Sequence, residues 1–314
     1  DMTITFIGLK LGLFIGYGPK YLGKLIFNDL GVPDTVRANQ KPMLLRIEKN
    51  NIKSVLPLRD FDSHKGLFGH VLVIGGAPGM SGAVRLAGEA ALRCGAGIVT
   101  IATHPSHSRE IVAGNPELMS HGILEQKDLD PLLDKATVII VGPGLGTNDW
   151  SKKLFDKALL SSLPAVFDAD ALNLLSKKKI KRDNWILTPH PGEAGRLLGL
   201  SSAAIQLDRL NAVKELHKSY GGIVVLKGAG TLIKSKNNSP WICTSGNPGM
   251  ASAGMGDVLT GLIAALIAQG IDKEKAAIAG VQIHAMAGDK AAENGERGMI
   301  ASDLFAEIRY WLNH

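Results

Sequence analysis

The sequence predicts an α/β protein in which a central, mostly parallel sheet is covered by helices on both faces. Short apolar runs alternate with longer helical segments along most of the chain, which is the pattern of βαβ units. The apolar runs show no polar alternation, as expected for strands that are buried on both faces. A chain of 314 residues with 45% hydrophobic residues, 37 glycines and 5% aromatic residues also fits a compact α/β enzyme better than a β-sandwich or a disordered chain.

The individual elements follow from this alternation in chain order. We predict strands at Val71–Gly75, Ile98–Ala102, Val138–Val141, Ala165–Asp168, Trp185–Leu187, Ile223–Leu226, Thr231–Ile233 and Trp241–Cys243. We predict helices at Ala83–Cys94, Ser151–Leu160, Gly192–Leu198, Ala203–Tyr220, Val258–Gln269, Asp272–Asn294 and Ser302–Leu312. The carboxyl ends of parallel strands share one edge of a sheet, and ligands bind beyond that edge in such folds.

Residues 1–50 are predicted to form a separate region ahead of a main domain at residues 51–314. Short strands are expected at Thr3–Leu9 and Lys24–Asp29, and the regular alternation of strands and helices begins near Ser54. Because an isolated pair of strands is only marginally stable in water, we expect the first region to dock on the main domain or to be disordered.

Composition and charge exclude several classes of protein. The net charge of +6 is mild, and the basic run Lys177–Arg182 fits a solvated loop better than a nucleic-acid patch. Two distant cysteines, Cys94 and Cys243, indicate a reducing compartment and no disulfide framework. No uninterrupted run of about 18 apolar residues is present, so a membrane span is not expected. We therefore expect a cytoplasmic protein that binds neither nucleic acid nor a membrane.

Several common catalytic signatures are absent from the sequence. It contains no G-x-x-x-x-G-K-[ST] loop, no H-E-x-x-H zinc motif, no G-x-S-x-G elbow and no kinase H-R-D set. The turn Gly75–Gly82 lacks the G-x-G-x-x-G spacing of a dinucleotide fingerprint. It is either a turn that lines a substrate site or a plain strand-to-helix turn with Ser81 as N-cap, and we favour the first interpretation.

The segment Gly246–Asp257 carries the strongest indication of chemistry. Its small residues lead directly into an apolar helix, so backbone N–H groups near Gly254 and Gly256 can converge on a phosphate at the start of that helix. A carboxylate there would repel the anion, unless it takes a proton from a substrate hydroxyl beside the phosphate. We therefore predict Asp257 as a general base rather than a simple helix cap, with its pKa lowered by the helix dipole.

Two further strand ends combine charged side chains with glycines or prolines. His190 lies between two prolines that fix its backbone, and we favour ligand contact over a purely structural role. Glu193 would either hold Mg²⁺ near phosphates or place a favourable charge at a helix start. Lys227 begins the loop Lys227–Thr231, which we predict to contact phosphate rather than to form a plain hairpin turn.

Polar residues at another strand end permit two interpretations. Asp168, Asp170 and Asn173 close a buried strand with groups that need partners. A functional and a structural role are equally consistent with that pattern, and we do not predict these residues to be catalytic. The glycine-rich turn Gly142–Gly146 follows a neighbouring strand.

Together these segments resemble the NAD(P)H-hydrate dehydratases, which are repair enzymes with a ribokinase-like fold. The resemblance is carried by Val141–Gly146, Asp168–Asn173, Thr188–Glu193, Lys227–Thr231 and Ala253–Asp257. It extends over residues 54–312 in order and without large gaps. Residues 1–32 resemble the end of the NAD(P)H-hydrate epimerase domain that precedes the dehydratase in many bacteria. The chain thus looks like a bifunctional protein that lacks most of its first domain, and we do not expect epimerase activity from it.

The resemblance implies a hydro-lyase that dehydrates the S form of hydrated NADH or NADPH after phosphorylating its C6 hydroxyl. Bacterial members use ADP and release AMP and phosphate, whereas eukaryotic members use ATP. The catalytic residues would be Asp257, Gly256 and Gly254. The nucleotide would be held by Lys227, Gly228, Ala229, Gly230, Thr231 and Gly256. The hydrate would contact Ala83, Gly144, Gly146, His190 and Asp257. Mg²⁺ would bind at Glu193, and a homotetramer is expected because the family often forms one.

Two other functions stay open at this point. A ribokinase-like, ATP-dependent kinase of a small alcohol, such as a vitamin precursor, would stop after phosphoryl transfer. A nucleotide sensor would bind without turnover. His190 favours the dehydratase, because such kinases typically have Asn at this position. Asp257 argues against the sensor, since a pure binder gains nothing from a carboxylate beside a phosphate.

Overall fold

The structure, a computed structural model, describes residues 1–53, 55, 56, 58–236 and 239–314. Its β-strands are β1 Met2–Phe6, β2 Lys24–Asn28, β3 Leu45–Arg46, β4 His70–Ile74, β5 Ile98–Thr103, β6 Met119–Gly122, β7 Val138–Val141, β8 Ala165–Phe167, β9 Trp185–Leu187, β10 Ile223–Leu226, β11 Thr231–Lys234 and β12 Trp241–Cys243. Its α-helices are α1 Gly18–Leu22, α2 Asp34–Ala38, α3 Lys49–Lys53, α4 Ser81–Arg93, α5 Ser108–Ile111, α6 Asp130–Leu133, α7 Asp149–Leu160, α8 Asp170–Leu175, α9 Pro191–Leu198, α10 Ser202–Leu207, α11 Arg209–Tyr220, α12 Met255–Ala268, α13 Lys273–Ala291 and α14 Leu304–Trp311. Ser54, near which the alternation is predicted to begin, lies outside the described residues.

The main sheet has the strand order β3-β12-β11-β10-β9-β8-β7-β4-β5-β6. Strand β11 pairs antiparallel with both of its neighbours, and the other pairs of this sheet are parallel. The predicted mostly parallel sheet is therefore confirmed. The eight strands predicted for it are all present, with ends that differ by at most one residue.

Both faces of the sheet are covered by helices, as predicted. In β4, Val71 and Val73 belong to a core cluster with α4, α12, α13 and α14, whereas Leu72 and Ile74 belong to a second cluster with α7, α8, α9 and α11. Successive side chains of a strand point to opposite faces, so an unbroken apolar run is what a strand between two helical layers requires.

The sheet reverses its strand order between β4 and β7. From β4 the chain proceeds outward through β5 and β6, and from β7 it proceeds in the opposite direction through β8, β9 and β10. The carboxyl ends of β4 and β7 therefore border a crevice of the kind in which α/β proteins bind ligands. The turns Gly75–Gly82 and Gly142–Gly146 both open at this crevice, since they directly follow these two strands.

Some predicted boundaries are wrong, for identifiable reasons. The helix predicted over Ala203–Tyr220 is two helices, because the chain turns at Asp208, whose carboxylate accepts the N–H of Asn211 at the start of α11. Ser81 is not an N-cap, because Met80 occupies the cap position and makes no side-chain cap bond. Strand β6 was not predicted because its polar sequence, Met119–Gly122, lies at a sheet edge where the apolar pattern is weak.

The first region contacts the main domain. Strands β1 and β2 form a separate, parallel two-stranded sheet. Phe14 and Ile15, which follow a short 3-10 turn, pack against the second core cluster. Strand β3 lies ahead of residue 51 but pairs with β12 at the edge of the main sheet. The division of the chain at residue 50 into two domains stays a prediction.

None of the described helices is both long enough and apolar enough to span a membrane.

Candidate active site

A buried ion pair lies at the carboxyl ends of β8 and β10. Lys227 Nζ donates to Asp168 Oδ1 at 2.6 Å, and Thr260 on α12 donates to Asp168 Oδ2 at 2.9 Å. Burial by itself raises the pKa of Asp168, but the charge of Lys227 and hydrogen bonds from Lys227, Thr188 and Thr260 bring it below its ordinary value. Asp168 is therefore an ionised carboxylate that holds the ammonium group in place, a pairing that the sequence did not reveal.

His190 and Glu193 form a reciprocal cap at the start of α9. Glu193 Oε2 accepts the backbone N–H of His190 at 2.8 Å, so the structural role left open for Glu193 is present. The same oxygen lies 4.0 Å from Lys227 Nζ. Burial raises the pKa of Glu193 to about 7. The positive charge of Lys227 lowers this pKa, and the negative charge of Asp168 offsets part of that effect.

The ring of His190 is half-exposed and has a defined orientation. Its Nδ1 accepts the backbone N–H of Gly192 at 2.9 Å. Burial lowers the pKa of His190, and the charges of Lys227 and Arg196 lower it further. A neutral ring whose Nδ1 is an acceptor carries its proton on Nε2. Its Nε2 lies 3.5 Å from Glu193 Oε1, and because half of the side chain is exposed, this N–H is also open to a ligand at the surface of the site.

Asp257 lies in the first turn of α12 and close to the same charges. The sequence predicts a lowered pKa there, and this is wrong. Burial raises the pKa of Asp257 to about 7, and the negative charges of Asp168 and Glu193 contribute, while Lys227 opposes them. Desolvation and two neighbouring carboxylates outweigh the partial charge of a helix end. A carboxyl group with this pKa is suited to general-base work near neutral pH.

Glycines allow the start of α12 to approach the ion pair closely. A Cβ atom on Gly256 would lie 3.2 Å from Lys227 Nζ and 3.4 Å from Asp168 Oδ2. Gly254 is the N-cap of α12 and has a left-handed backbone with φ of 87°, and a Cβ there would lie 2.5 Å from Leu86 Cδ1. The structure thus brings Gly254, Gly256 and Asp257 together with Lys227.

The two turns at the crevice are joined by backbone hydrogen bonds. The N–H of Ala77 donates to the carbonyl of Gly144 at 2.6 Å. Gly144 has φ of 55°, and a Cβ on it would lie 3.2 Å from Cβ of Ala83 in the first turn of α4. The N–H of Gly146 donates to Asp170 Oδ2 at 2.8 Å. The predicted substrate contacts Ala83, Gly144 and Gly146 therefore form one continuous wall.

Asp170 and Asn173 have structural partners. Asn173 Nδ2 donates to Asp170 Oδ1 at 3.1 Å, and Arg196 Nε donates to Asn173 Oδ1 at 2.7 Å. Together with the bond from Gly146, this chain of side chains ties the turn after β7 to α8 and α9. The structural interpretation of both residues is thus supported.

The loop Lys227–Thr231 joins β10 to β11 and is held by a residue that the sequence analysis missed. Arg209, the first residue of α11, is 1% exposed and donates to the carbonyl oxygens of Leu226, Lys227 and Gly230. Within the loop, Thr231 Oγ1 donates to the carbonyl of Gly228 at 3.0 Å. No local pattern indicates this role, because the helix predicted over Ala203–Tyr220 runs through Arg209 and the carbonyls that it binds lie 17 to 21 residues further along the chain.

A second missed residue anchors the loop that leads into α12. Asp289 on α13 accepts the N–H of Gly246 at 3.0 Å and the side-chain amide of Asn247 at 3.1 Å. Gly288, its neighbour on α13, lies against Met250, where a Cβ would overlap the thioether. Nothing local in the sequence predicts these contacts, because about 40 residues separate the partners.

The side chains at this site determine how Mg²⁺ would bind there. Within the described ranges, no group of three or more His, Cys, Asp or Glu side chains is arranged to hold a metal ion. Mg²⁺ in nucleotide sites usually takes one or two carboxylates together with phosphate oxygens and water. Glu193 fits that mode as a single ligand, and the protein offers no complete cage among these residues.

A cavity of about 680 Å³ lies elsewhere, at the carboxyl ends of α4 and α12. Its lining includes Arg59, Arg93, Gln269, Arg309 and Trp311. Asp257 is at the opposite end of α12, which has 14 residues and so is about 21 Å long. The residues with shifted pKa values and the glycine-rich turns, rather than the size of this cavity, define the candidate site.

Comparison with known families gives a match over most of the chain. A family model described as NAD(P)H-hydrate dehydratase matches residues 71–309. The bifunctional NAD(P)H-hydrate repair enzyme Nnr of Coxiella burnetii is 50% identical over 314 residues, which are 100% of this chain and 64% of that relative. An ADP-dependent (S)-NAD(P)H-hydrate dehydratase of Neisseria meningitidis is 40% identical over 271 residues, which are 83% of this chain and 90% of that relative. The chain thus spans less than two thirds of the bifunctional relative.

Solved structures agree with the fold. A ribokinase-like superfamily protein from Enterococcus faecalis has a TM-score of 0.80 at 28% identity, covering 87% of this chain and 96% of its own. An ADP/ATP-dependent NAD(P)H-hydrate dehydratase from Bacillus subtilis, co-crystallized with ATP/Mg²⁺, has a TM-score of 0.77 at 30% identity, covering 85% of this chain and 97% of its own. The predicted ribokinase-like fold is confirmed.

Proposed function

Because the chain belongs to the NAD(P)H-hydrate dehydratase family, we propose that it is an ADP-dependent hydro-lyase that returns (6S)-hydrated NADH and NADPH to their functional forms. The observation that carries this proposal is Asp257, a carboxyl group with a pKa of about 7 beside the ammonium of Lys227 at a glycine-led helix start. A base and a phosphate-binding cation in that arrangement suit transfer of a phosphoryl group to an alcohol.

In the first step, Asp257 takes the proton of the C6 hydroxyl while that oxygen attacks the terminal phosphorus of ADP. The new bond joins the C6 oxygen to phosphorus, and the bond that breaks releases AMP. Lys227 supports this step because Asp168 holds its Nζ at one position and leaves other N–H directions for phosphate oxygens. The N–H groups of Ala253 to Gly256, at the start of α12, would stabilise charge on the transferred group.

In the second step, the lone pair of the ring nitrogen expels phosphate from C6, and the departing phosphate takes a proton from C5. These changes restore the ring double bond and complete the loss of water. Phosphorylation is needed because hydroxide is a poor leaving group and phosphate is a good one. The products are therefore the repaired coenzyme, AMP and phosphate.

Two sides of the site would bind different substrates. We assign the nucleotide to Lys227, Gly228, Ala229, Gly230, Thr231 and Gly256. We assign the hydrate to Ala83, Gly144, Gly146, His190 and Asp257. The wall formed by the turns after β4 and β7 supports the second assignment, because it lies at the reversal of the sheet and packs against Asp168, whose carbonyl oxygen a Cβ on Gly142 would overlap. His190 would donate from Nε2 to an oxygen of the substrate.

Mg²⁺ would be held by Glu193 together with phosphate oxygens of the nucleotide. When bound, it would neutralise phosphate charge and help to align the terminal phosphate. Glu193 lies 4.0 Å from Lys227, so both groups address the same part of the site.

Residues 1–32 are proposed to be the end of an epimerase domain. The exposed apolar side chains of β1 and β2 support this, since Met2 and Ile4 are 58% and 53% exposed and Phe27 is 46% exposed. Apolar residues at neighbouring positions usually mark a covered surface. We do not propose epimerase activity for this chain.

We further propose that the protein is a cytoplasmic homotetramer. The free, buried thiols of Cys94 and Cys243 support a reducing compartment and carry no information on the oligomeric state.

The function is tested by incubating the protein with hydrated NADH, ADP and Mg²⁺ and following NADH absorbance, AMP and phosphate. We expect equal amounts of the three products. A stable phosphorylated product from a different alcohol would instead indicate the kinase. ADP binding without any turnover would indicate a sensor, and either result would refute the dehydratase.

A further inference from the structure

We propose that Arg209 is a positioning residue that sets the nucleotide loop Lys227–Thr231 in its binding conformation by holding the loop's carbonyl oxygens inside the protein. The inference rests on the proposed function, because it takes ADP as the occupant of that loop. Arg209 does not itself contact the nucleotide in this proposal. It acts through the backbone of the loop.

The first observation is that Arg209 is a buried cation without a counter-ion. It is 1% exposed, and no carboxylate among the described residues pairs with it. Its acceptors are instead Gln206 Oε1 at 2.9 Å and the carbonyl oxygens of Leu226, Lys227 and Gly230 at 3.1 to 3.4 Å. A buried charge is unfavourable unless hydrogen bonds compensate for its lost hydration. Since Arg209 Nε has no hydrogen-bond partner among the described residues, this compensation comes from Nη1 and Nη2, mainly through the carbonyls of the loop.

The second observation concerns the direction of the peptide groups. The protein has no cis peptide bonds among its described residues, and in a trans peptide the N–H points opposite to the carbonyl of the same plane. When Arg209 draws the carbonyl of Lys227 inward, the N–H of Gly228 points outward. In the described part of the chain, the N–H groups of Gly228, Ala229 and Gly230 make no hydrogen bond. Consecutive free N–H groups in a glycine turn form a site for anions.

The third observation is that Gly228 lies directly against the guanidinium. Gly228 has φ of 137° and Gly230 has φ of 69°, both in the region that favours glycine. A Cβ on Gly228 would lie 2.9 Å from Arg209 Nη1. The guanidinium therefore packs against Gly228, on the side opposite to the N–H of that residue. Gly230 lies against the backbone of Phe14, whose carbonyl oxygen a Cβ on Gly230 would overlap. The planar fork of arginine can reach several carbonyls at once, which lysine cannot.

The test compares Arg209→Gln and Arg209→Lys with a matched control, Arg182→Gln. Arg182 also donates to two backbone carbonyls, those of Leu159 and Ser161. It precedes β9 and so lies at the amino end of that strand, whereas the nucleotide loop follows the carboxyl end of β10. Both substitutions to Gln therefore remove hydrogen bonds to backbone carbonyls, but only Arg209 lies against the nucleotide loop. Affinity for ADP is measured by calorimetry, and kcat and KM are measured with hydrated NADH at a temperature where all variants are folded.

We expect Arg209→Gln to raise both the Kd and the KM for ADP at least about tenfold, which corresponds to about 1.4 kcal/mol. The kcat at saturating ADP should change by less than about threefold, because Asp257 and Lys227 remain. Arg209→Lys should have an intermediate effect, and Arg182→Gln should leave both constants within about twofold. In the ADP complex, the amides of Gly228–Gly230 should be less protected from hydrogen exchange in the Arg209 variants than in the unaltered protein and in Arg182→Gln.

An unchanged ADP affinity in the Arg209 variants would overturn the proposal, as would an equal loss in Arg182→Gln. If Arg209→Gln does not fold, Arg209→Lys carries the same test. Failure of the proposed function has a different signature, since the unaltered protein would then release no AMP from ADP and hydrated NADH, whatever the Arg209 variants do to ADP affinity.

Discussion

Asp257 shows most clearly how a residue's surroundings decide its chemistry. Its position at a helix start suggests a low pKa, but burial and the charges of Asp168 and Glu193 raise that pKa to about 7. The residue is thus more basic than a solvated carboxylate and can accept a proton from a hydroxyl more readily. Lys227 keeps the ionised form accessible near neutral pH.

Replacing Asp257 with Asn should abolish turnover and keep nucleotide binding. The loss of a positioned base costs about 10²–10⁴-fold in kcat, while the N–H groups of the loop are unaffected. Product formation is measured with hydrated NADH, and ADP binding is measured by calorimetry. If Asp257→Asn turns over at the original rate, Asp257 is not the general base.

The activity should also depend on pH through Asp257. Because a base works only when deprotonated, kcat/KM should fall about tenfold per pH unit below a pKa of about 7. The profile is recorded from about pH 5.5 to about pH 8.5, an interval that brackets the pKa of Asp257. A flat profile across this interval would contradict the assignment.

The same shift predicts an effect on stability. The pKa of Asp257 is raised from 3.8 to about 7 in the folded protein, so its favourable contribution is complete below about pH 4 and is lost as the pH rises through about 7. Asp257→Asn should therefore raise the free energy of unfolding at pH 8 by on the order of 4 kcal/mol, with little effect near pH 4. Urea titrations at the two pH values measure the difference, and an equal effect at both would refute the linkage.

At the scale of elements, α12 and α13 both position the proposed catalytic segment, Gly246–Asp257. Helix α12 presents Asp257 and the N–H groups of its first turn. Helix α13 holds the preceding segment through Asp289, which binds Gly246 and Asn247. Thus, a long helix with an almost wholly buried middle section provides the fixed support for a glycine-rich loop.

Asp289→Ala should lower kcat/KM by about tenfold while costing only about 1 kcal/mol of stability, because the two lost hydrogen bonds are exposed but orient the loop. Asp272→Ala is the matched control. Asp272 caps the other end of α13 by accepting the N–H groups of Glu274 and Lys275, so its loss should cost similar stability and leave kcat/KM unchanged. Equal kinetic losses in both variants would show that loop anchoring is not the cause.

At the scale of the whole molecule, the site depends on many elements at once. It is built from the ends of β4, β7, β8 and β10 and from the starts of α4, α9 and α12. The Asp168–Lys227 pair joins residues 59 positions apart, and Thr260 adds a third element. Binding at such a site is therefore coupled to the folding of the main domain.

ADP should accordingly stabilise the whole protein. A ligand at about 100 times its Kd raises the free energy of unfolding by about 2.7 kcal/mol if it binds the folded state alone. The melting temperature is measured with ADP and with adenosine, which lacks the phosphates, at equal concentration. ADP should raise it in the unaltered protein and in Asp257→Asn. Equal shifts with adenosine would argue against recognition through phosphate.

The sequence by itself determined the α/β class, the eight main strands and the loops at their ends, because apolar runs and glycine turns act locally. It also brought Asp257, Lys227, His190 and Glu193 forward as chemistry-bearing residues. Only the tertiary structure decided the Asp168–Lys227 pair, the raised pKa of Asp257 and the carbonyl contacts of Arg209. These depend on burial and on partners distant in the chain, and the pattern around any one residue contains neither.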